Sequence, residues 1–165
     1  MRLTIRPIIV LVLVVSGIMA GLGAQQALSG QDQSEVKSVS PQEAWQLYQE
    51  LDGAVILDVR TRAEFVFVGH PKGAVNIPLL YWDEMKGQMV PNPDFMSMVE
   101  ARFSKDTPLI VICRSGGRSL RAAMMLKGAG YKTVINVAEG FEGKKDKQGK
   151  RTIGGWKNAD LPWEY

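Results

Sequence analysis

Three short and mostly apolar runs of residues limit the folds open to this chain more than any other feature of its sequence. They occupy residues 54–57, 109–112 and 133–137. A strand that is apolar without alternation is expected where both faces of a sheet are buried, as in a parallel sheet covered by helices. Segments of helical character separate the runs, which is the pattern of parallel βαβ units. The predicted fold class is therefore α/β: a doubly wound parallel sheet with helices on both faces, in a single domain.

The clearest helix start lies at Ser40, where a capping serine is followed by Pro41 in the first turn and by Glu43 three residues later. Apolar residues then recur at helical spacing until Gly53, which ends the helix. Further helices are predicted at residues 94–103 and 119–127, a brief helix or turn at 63–68, and a short strand at 74–78. Strands and helices therefore alternate along the chain, as the α/β prediction requires.

The N-terminal segment has the pattern of an export signal. Arg2 and Arg6 precede an uninterrupted apolar run at residues 8–15, and small residues follow as far as Ala24. A basic start, a short apolar run and a small-residue exit are typical of a secretory signal peptide. We therefore predict that residues 1–24 are a signal peptide and that the protein is exported, to the periplasm if the cell is Gram-negative.

The chain after the signal divides into two parts. Residues 25–38 are polar and aperiodic, which predicts a flexible leader, and residues 39–165 are predicted to form the folded domain. An uncleaved membrane anchor is the alternative to a cleaved signal, because residues 5–22 are just long enough to span a bilayer. Contact with a membrane is expected only in that case.

Charge and cysteine content exclude two broad classes of protein. The formal net charge of +3 falls to +1 once Arg2 and Arg6 are subtracted, which argues against nucleic-acid binding. The chain has one cysteine, so no intramolecular disulfide can form. A chain of 165 residues buries roughly two-thirds of its unfolded surface, so it needs neither a metal nor a disulfide to hold it together.

The single cysteine lies in a loop whose residues suit an anion. Cys113 follows the second apolar run and precedes a predicted helix, at the edge of the sheet where ligands bind in parallel folds. Two glycines let backbone amides turn inward beside the helix N-terminus, and two arginines add positive charge. This environment favours the thiolate and predicts a reactive nucleophile rather than a structural cysteine. The predicted substrate-binding residues are Arg114, Ser115, Gly116, Gly117, Arg118 and Ser119.

Three charged residues and one histidine are candidates for supporting roles. Asp58, Arg60 and Glu64 could line the pocket, but we expect Arg60 and Glu64 to form an ion pair and Asp58 to order nearby backbone. His70 stands in a glycine-rich turn, which favours a structural hydrogen bond over a catalytic role. No metal site is predicted.

Three stretches of the chain resemble the rhodanese family of sulfurtransferases. Residues 57–60, followed by Glu64 and Phe65, are similar to its strand-and-turn signature. Residues 69–78 are similar to its glycine–histidine turn, and residues 113–119 to its active-site loop. The three stretches occur in the family's order, and the resemblance extends from about Val39 to the C-terminus.

The resemblance implies covalent sulfur transfer without a metal or an organic cofactor. Cys113 would take the outer sulfur of a small donor anion such as thiosulfate, hold it as a persulfide and pass it to a thiol or another nucleophilic acceptor. Two alternatives remain. One is a non-catalytic binding module, although such family members typically lack the cysteine. The other is a phosphatase or arsenate reductase, although these related enzymes have five residues between cysteine and arginine, whereas four separate Cys113 from Arg118.

An insertion departs from the family pattern near the C-terminus. Residues 144–153 carry five basic side chains opposed by Asp146 alone, which gives a local balance of +4. The insertion follows a predicted strand, so it should leave the same sheet edge as Cys113 and lie on the rim of its pocket. A positive rim would attract thiosulfate or an acidic protein acceptor, whereas the alternative is a solvated loop. The basic residues are Lys144, Lys145, Lys147, Lys150 and Arg151.

Overall fold

The structure is a computed structural model that describes residues 36–165. The predicted signal peptide or anchor and the first part of the predicted leader lie outside the described residues. Within residues 36–165, no helix is long and apolar enough to cross a membrane.

The described part of the chain alternates strands and helices as expected. The elements in chain order are β1 (Lys37–Val39), α1 (Pro41–Glu50), β2 (Val55–Asp58), α2 (Arg62–Val68), β3 (His70–Pro71), β4 (Val75–Asn76), β5 (Leu80–Asp83), β6 (Gln88–Pro91), α3 (Phe95–Glu100), β7 (Leu109–Ile112), α4 (Gly117–Gly128), β8 (Val134–Val137), β9 (Lys144–Lys145), β10 (Arg151–Ile153), a 3₁₀ turn (Lys157–Ala159) and β11 (Trp163–Glu164).

Five of the strands form one parallel sheet in the order β1-β8-β7-β2-β4. The β2 and β7 strands pair from Val55↔Leu109 to Asp58↔Ile112, so both end at the same edge. Every residue of β7 and β8 is buried, which is why β7 is apolar throughout and β8 is apolar except at Asn136. The doubly wound α/β prediction is confirmed.

Helices cover both faces of this sheet. Leu57 and Val111 point to one face, where they pack with buried residues of α3 and α4 such as Val99 and Leu126. Ile56, Ile110 and Ile112 point to the other face, where they pack with residues of α1 and with the C-terminal segment. Side chains of one strand alternate between the two cores, so each central strand supports both layers.

The folded domain starts earlier than the sequence predicts. Lys37 and Ser38 belong to the predicted leader, but with Val39 they form an edge strand that pairs with β8. Only Val39 of the three is buried, so the segment has no apolar run to mark it as a strand. Asn136 secures the pairing by donating a side-chain hydrogen bond to the Ser38 hydroxyl at 3.0 Å.

Two antiparallel hairpins follow strands of the main sheet, one after β4 and the other after β8. The β5 and β6 strands form the first, and β9 and β10 form the second. The second hairpin falls within residues 144–153, so the predicted insertion loop has regular structure. Several predicted helix bounds also shift by one to three residues, as is usual at helix ends.

The C-terminal segment docks on the core through two tryptophans. Trp156 is fully buried and donates its indole N–H to the Pro162 carbonyl at 2.9 Å. Trp163 pairs with Pro71 where β11 meets β3, and its ring lies edge-on to Phe141. The chain end is therefore held against the same core that supports the candidate site.

Candidate active site

The cysteine loop reverses the chain sharply between β7 and α4. Cys113 follows the last residue of β7, and α4 begins four residues later at Gly117. Gly116 has φ of +96°, and a Cβ at that position would collide with the Ala138 carbonyl oxygen. Only glycine fits this backbone, so the first glycine of the pair is required by the turn itself.

Two hydrogen-bond donors lie at the Cys113 sulfur. The Gly116 amide is 3.2 Å from Sγ, and the Ser119 hydroxyl is 3.3 Å from it. Ser119 Oγ is also 2.9 Å from the Gly116 carbonyl, so its single proton can serve either acceptor. Cys113 is only 1% exposed. Donors placed this way stabilise negative charge on the sulfur where water cannot.

The predicted substrate-binding residues divide into two groups. Gly116 and Ser119 are buried and contact the sulfur from within the protein. Arg118 and Ser115 are half-buried. Arg114 and Gly117 are exposed and form the outer edge of the loop. A substrate approaching from solvent therefore meets the outer residues of the loop before it meets the sulfur.

Arg118 forms a two-point ion pair with Glu64. Its Nη1 donates to Glu64 Oε2 at 2.7 Å and its Nη2 to Oε1 at 2.6 Å. Glu64 is positioned by the N-terminal cap of α2, because Oε2 accepts hydrogen bonds from the Thr61 amide and hydroxyl, both at 3.0 Å. The capping box of α2 thus positions the Glu64 carboxylate, and this carboxylate in turn positions Arg118.

The surroundings of this pair shift the pKa of both partners towards the charged form. Burial alone would raise the pKa of Glu64, but the hydrogen bonds and charge of Arg118, together with Thr61, lower it to about 2. Burial would lower the pKa of Arg118, but Glu64, Cys113 and Asp58 outweigh this effect and raise it. The negative charge of Cys113 is thus one of the influences that raise the pKa of Arg118.

Asp58 and Arg60 form a second ion pair that is completely buried. Arg60 Nη2 is 2.6 Å from Asp58 Oδ2, and Arg60 Nε lies 3.0 Å from both carboxylate oxygens. The same Nη2 donates to the Gly69 carbonyl at 2.7 Å, and the guanidinium stacks 4.4 Å from the Phe141 ring centroid. Arg60 therefore connects the end of β2 to the turn after α2 in the interior of the protein.

The predicted ion pair between Arg60 and Glu64 is wrong. Arg60 turns inward onto Asp58, while the α2 cap holds Glu64 facing Arg118. The predicted role of Asp58 is confirmed, because its Oδ1 accepts the backbone amide of Arg60 at 2.9 Å. Arg118 is 54 residues from Glu64 in the sequence, and only the fold brings the two side chains together. This pairing could therefore not be predicted from the sequence.

The turn that follows β8 supports the cysteine loop through backbone hydrogen bonds. The Phe141 amide donates to the Cys113 carbonyl at 2.7 Å, and the Glu142 amide donates to the Arg114 carbonyl at 3.0 Å. A Cβ on Gly140, which has φ of +65°, would lie 2.5 Å from the Cys113 oxygen and 2.6 Å from the Ser115 nitrogen. Sequence reasoning did not assign these residues to the site, although the glycines at 140 and 143 marked a turn there.

His70 takes the structural role predicted for it. Its Nδ1 is 3.0 Å from the Phe65 carbonyl oxygen, and its ring stacks on Phe65 at 3.6 Å. Nε2 lies 3.8 Å from a carboxylate oxygen of Glu164 in the C-terminal strand. Both ring nitrogens thus face structural neighbours rather than Cys113. Among residues 36–165, no group of histidine, cysteine and carboxylate side chains is placed to hold a metal ion.

The fold and the cysteine loop together define a class of protein, and comparison with known proteins identifies it. A family model described as Rhodanese-like domain matches residues 40–147, so the chain belongs to the rhodanese family.

Individual relatives agree with this assignment. The chain is 41% identical over 91 residues to thiosulfate sulfurtransferase 16, chloroplastic, of Arabidopsis thaliana, a match that covers 55% of this chain and 73% of that protein. It is 42% identical over 85 residues to the senescence-associated protein DIN1 of Raphanus sativus, covering 52% of this chain and 45% of that protein. The match therefore spans less than half the length of the Raphanus protein.

A solved structure shows the same fold. The crystal structure of Rv0390 from M. tuberculosis aligns with a TM-score of 0.68 and 34% sequence identity, covering 78% of this chain and 97% of that one. The rhodanese-like α/β fold is thus supported by sequence, by structural likeness and by the loop geometry.

Proposed function

We propose that this protein is a sulfurtransferase that moves a sulfane sulfur from a donor such as thiosulfate to a nucleophilic acceptor through a persulfide on Cys113. The observation that carries the proposal is the pair of donors at Sγ, the Gly116 amide and the Ser119 hydroxyl. Such donors stabilise the thiolate that attacks and the charged persulfide that follows. The 41% identity to a thiosulfate sulfurtransferase supports the choice of donor.

The proposed reaction has two displacement steps. In the first, the Cys113 thiolate attacks the outer sulfur of thiosulfate, a new S–S bond forms, and sulfite leaves with the electron pair of the old bond. In the second, an acceptor such as cyanide or a thiolate attacks the outer sulfur of the persulfide, and Cys113 leaves as a thiolate. Neither step changes the overall redox balance or needs a metal or an organic cofactor.

Arg118 is proposed to act on the charges of both steps. Its guanidinium is fixed by the two-point contact to Glu64, in the first turn of the helix that follows the cysteine loop. A fixed cation beside a reacting sulfur lowers the cost of bringing a dianion to a thiolate. Glu64 is a positioning residue in this proposal, because it touches Arg118 rather than the reacting atoms.

Two alternative functions are disfavoured by the loop. A binding module would not need the hydrogen bonds that converge on the Cys113 sulfur. A phosphatase or arsenate reductase would bind a tetrahedral oxyanion, whereas the four-residue spacing from Cys113 to Arg118 gives a smaller cradle. The same purified protein should therefore be assayed with thiosulfate, with a phosphate ester and with arsenate.

The direct test is the release of sulfite from thiosulfate with cyanide as the acceptor. We expect sulfite and thiocyanate in equal amounts, together with negligible phosphatase or arsenate reductase activity. Turnover of the phosphate ester or arsenate without sulfite release would overturn the proposal. The absence of all three activities would favour the binding module.

We also propose that the protein works in an exported compartment. The support is the basic start, the apolar run at residues 8–15 and the small residues ending at Ala24. N-terminal sequencing of the protein from that compartment should find a chain that begins near Gln25. Recovery of a membrane-bound chain that still begins at Met1 would favour the anchor instead.

A further inference from the structure

The basic insertion forms an antiparallel hairpin. We call residues 144–153, which contain β9 and β10, the basic hairpin. Asp146 organises its turn, since one carboxylate oxygen accepts the amides of Gln148 and Lys150 at 2.9 Å and the other accepts the Thr152 hydroxyl at 2.7 Å. The one acidic residue of the hairpin is therefore used within the turn.

Its five basic residues have two different roles. Arg151 faces the base of the hairpin, where Nη1 donates to the Gly143 carbonyl at 2.5 Å and Nε lies 3.9 Å from a Glu142 carboxylate oxygen. The other four are exposed and have no ion-pair partner in the described part of the chain. These four free cations are Lys144, Lys145, Lys147 and Lys150.

The base of the hairpin is fastened to the cysteine loop. Glu142, two residues before β9, donates its amide to the Arg114 carbonyl at 3.0 Å. Asn158 joins the two sides of the base, because its Nδ2 lies 2.7 Å from the Gly154 oxygen and 3.2 Å from the Glu142 oxygen. The four lysines therefore lie on a hairpin whose base is hydrogen-bonded to the exposed Arg114 of the cysteine loop.

The position of the sulfur limits how an acceptor can reach it. Cys113 is the only cysteine of the chain and is 1% exposed, so the sulfur must leave to another molecule that reaches into the loop. The positive charge of the lysines would be enough to attract a small anionic acceptor. The hairpin also exposes an apolar side chain, Ile153, which is 52% exposed and pairs with Lys144 across the strands. An apolar side chain among exposed lysines offers both contact and positive charge to an acidic protein partner.

We infer that the basic hairpin docks an acidic protein that carries the accepting thiol. This inference rests on the proposed function and names the partner of the same site. The partner's thiolate attacks the outer sulfur of the Cys113 persulfide, the S–S bond to Cys113 breaks, and the electron pair returns to Cys113 as a thiolate. The product is a persulfide on the partner, and no oxidant or reductant is consumed.

The test compares two synthetic acceptor peptides of equal length, each with one cysteine. One has Asp and Glu around the cysteine, and the other has Asn and Gln at the same positions. The rate of sulfur transfer to each peptide is measured at low and high salt with the persulfide-loaded protein. At low salt the acidic peptide should react about tenfold faster or more, and salt should reduce this preference.

Two variants with equal loss of charge locate the effect. The hairpin variant K144Q/K145Q/K147Q/K150Q should lose the preference for the acidic peptide, while transfer to cyanide stays unchanged. The control variant K37Q/K72Q/K86Q/K132Q removes four exposed lysines elsewhere and should keep the preference. The hairpin should stay folded, because its turn depends on Asp146 and Thr152 rather than on lysine side chains.

Four outcomes decide the inference. Equal rates with both peptides in the parent would overturn it, and so would an unchanged preference in the hairpin variant. Lysine-dependent binding to phosphatidylglycerol vesicles, without a peptide preference, would replace the acidic protein by a membrane surface. Binding of the acidic peptide to Cys113→Ser, measured by fluorescence anisotropy, reports docking without transfer. A protein that binds the acidic peptide but transfers no sulfur to cyanide would therefore refute the proposed function and leave the docking surface standing.

Discussion

Two arginine–carboxylate pairs lie near the cysteine loop, and they differ in their exposure to water. Asp58 and Arg60 are both completely buried. The side chains of Glu64 and Arg118 keep 16% and 18% of their exposure, and Arg118 lies in the first turn of α4, directly after the cysteine loop. The first pair connects parts of the interior, whereas the second connects a helix cap to the reactive loop.

This difference shows that proximity to a site does not assign a function to an ion pair. Breaking a fully buried pair leaves a charge without solvent or partner, so it destabilises the fold strongly. A partly solvated pair contributes less to stability, because water replaces much of what is lost. We therefore expect the Asp58–Arg60 pair to maintain the fold and the Glu64–Arg118 pair to maintain activity.

Among substitutions in the two ion pairs, the largest expected effect on activity is that of Arg118→Ala. Removing its fixed charge should lower the rate of sulfur transfer about 10²-fold and the free energy of unfolding by about 1–2 kcal/mol. Arg118→Lys keeps the charge but not the two-point contact, and should recover part of the rate. Steady-state kinetics with thiosulfate and cyanide would measure both. A rate for Arg118→Ala close to that of the parent would break the comparison.

The largest expected effect on stability is that of Arg60→Ala. It leaves the Asp58 carboxylate buried and unpaired, which should lower the free energy of unfolding by about 3–5 kcal/mol. Urea denaturation gives this value, and Arg60→Lys serves as the variant that keeps a charge if Arg60→Ala does not fold. Activity per folded molecule should fall less than in Arg118→Ala. The reverse order would mean that the roles of the two arginines are exchanged.

A smaller effect is expected for Glu64→Gln, and it should depend on pH. The pKa of Glu64 is about 2 in the folded protein against 4.5 as its ordinary value, so the ionised pair stabilises the fold above pH 4.5. That contribution is lost as the pH falls from 4.5 towards 2. At neutral pH the variant should be less stable by ~1–2 kcal/mol after allowance for solvent screening.

Urea denaturation at several pH values measures this dependence. The difference in stability between the parent and Glu64→Gln should shrink as the pH falls from 4.5 towards 2. A difference that stays constant over this range would show that the charge of Glu64 does not stabilise the fold. Glu64→Gln should also reduce sulfur transfer less than Arg118→Ala, because the guanidinium remains.

The sequence was most informative where burial affects every residue of an element. The β7 strand is apolar at all four positions because both of its faces are covered, so it could be predicted as a buried strand of a parallel sheet. The β1 strand has one buried residue, Val39, and therefore resembled part of a leader. The cysteine loop was predictable because the glycine pair, the cysteine and the arginines are adjacent in sequence.

The partners of charged side chains were much less predictable. Sequence spacing favoured Arg60 with Glu64, but Glu64 pairs with Arg118, 54 residues away. Such a pairing depends on how α2 and α4 approach each other, and a single sequence does not contain that geometry. For the same reason, the support of the Cys113 backbone by the amide of Phe141 could not be foreseen.

The most direct test of the account is a single turnover with thiosulfate and no acceptor. The parent should release one sulfite per molecule, and mass spectrometry should find one added sulfur atom on the peptide that contains Cys113. Cyanide should then remove that atom as thiocyanate. Cys113→Ser, shown to be folded by circular dichroism, should release no sulfite and gain no mass. Sulfite release by Cys113→Ser, or a parent that turns over without gaining sulfur on Cys113, would contradict the account.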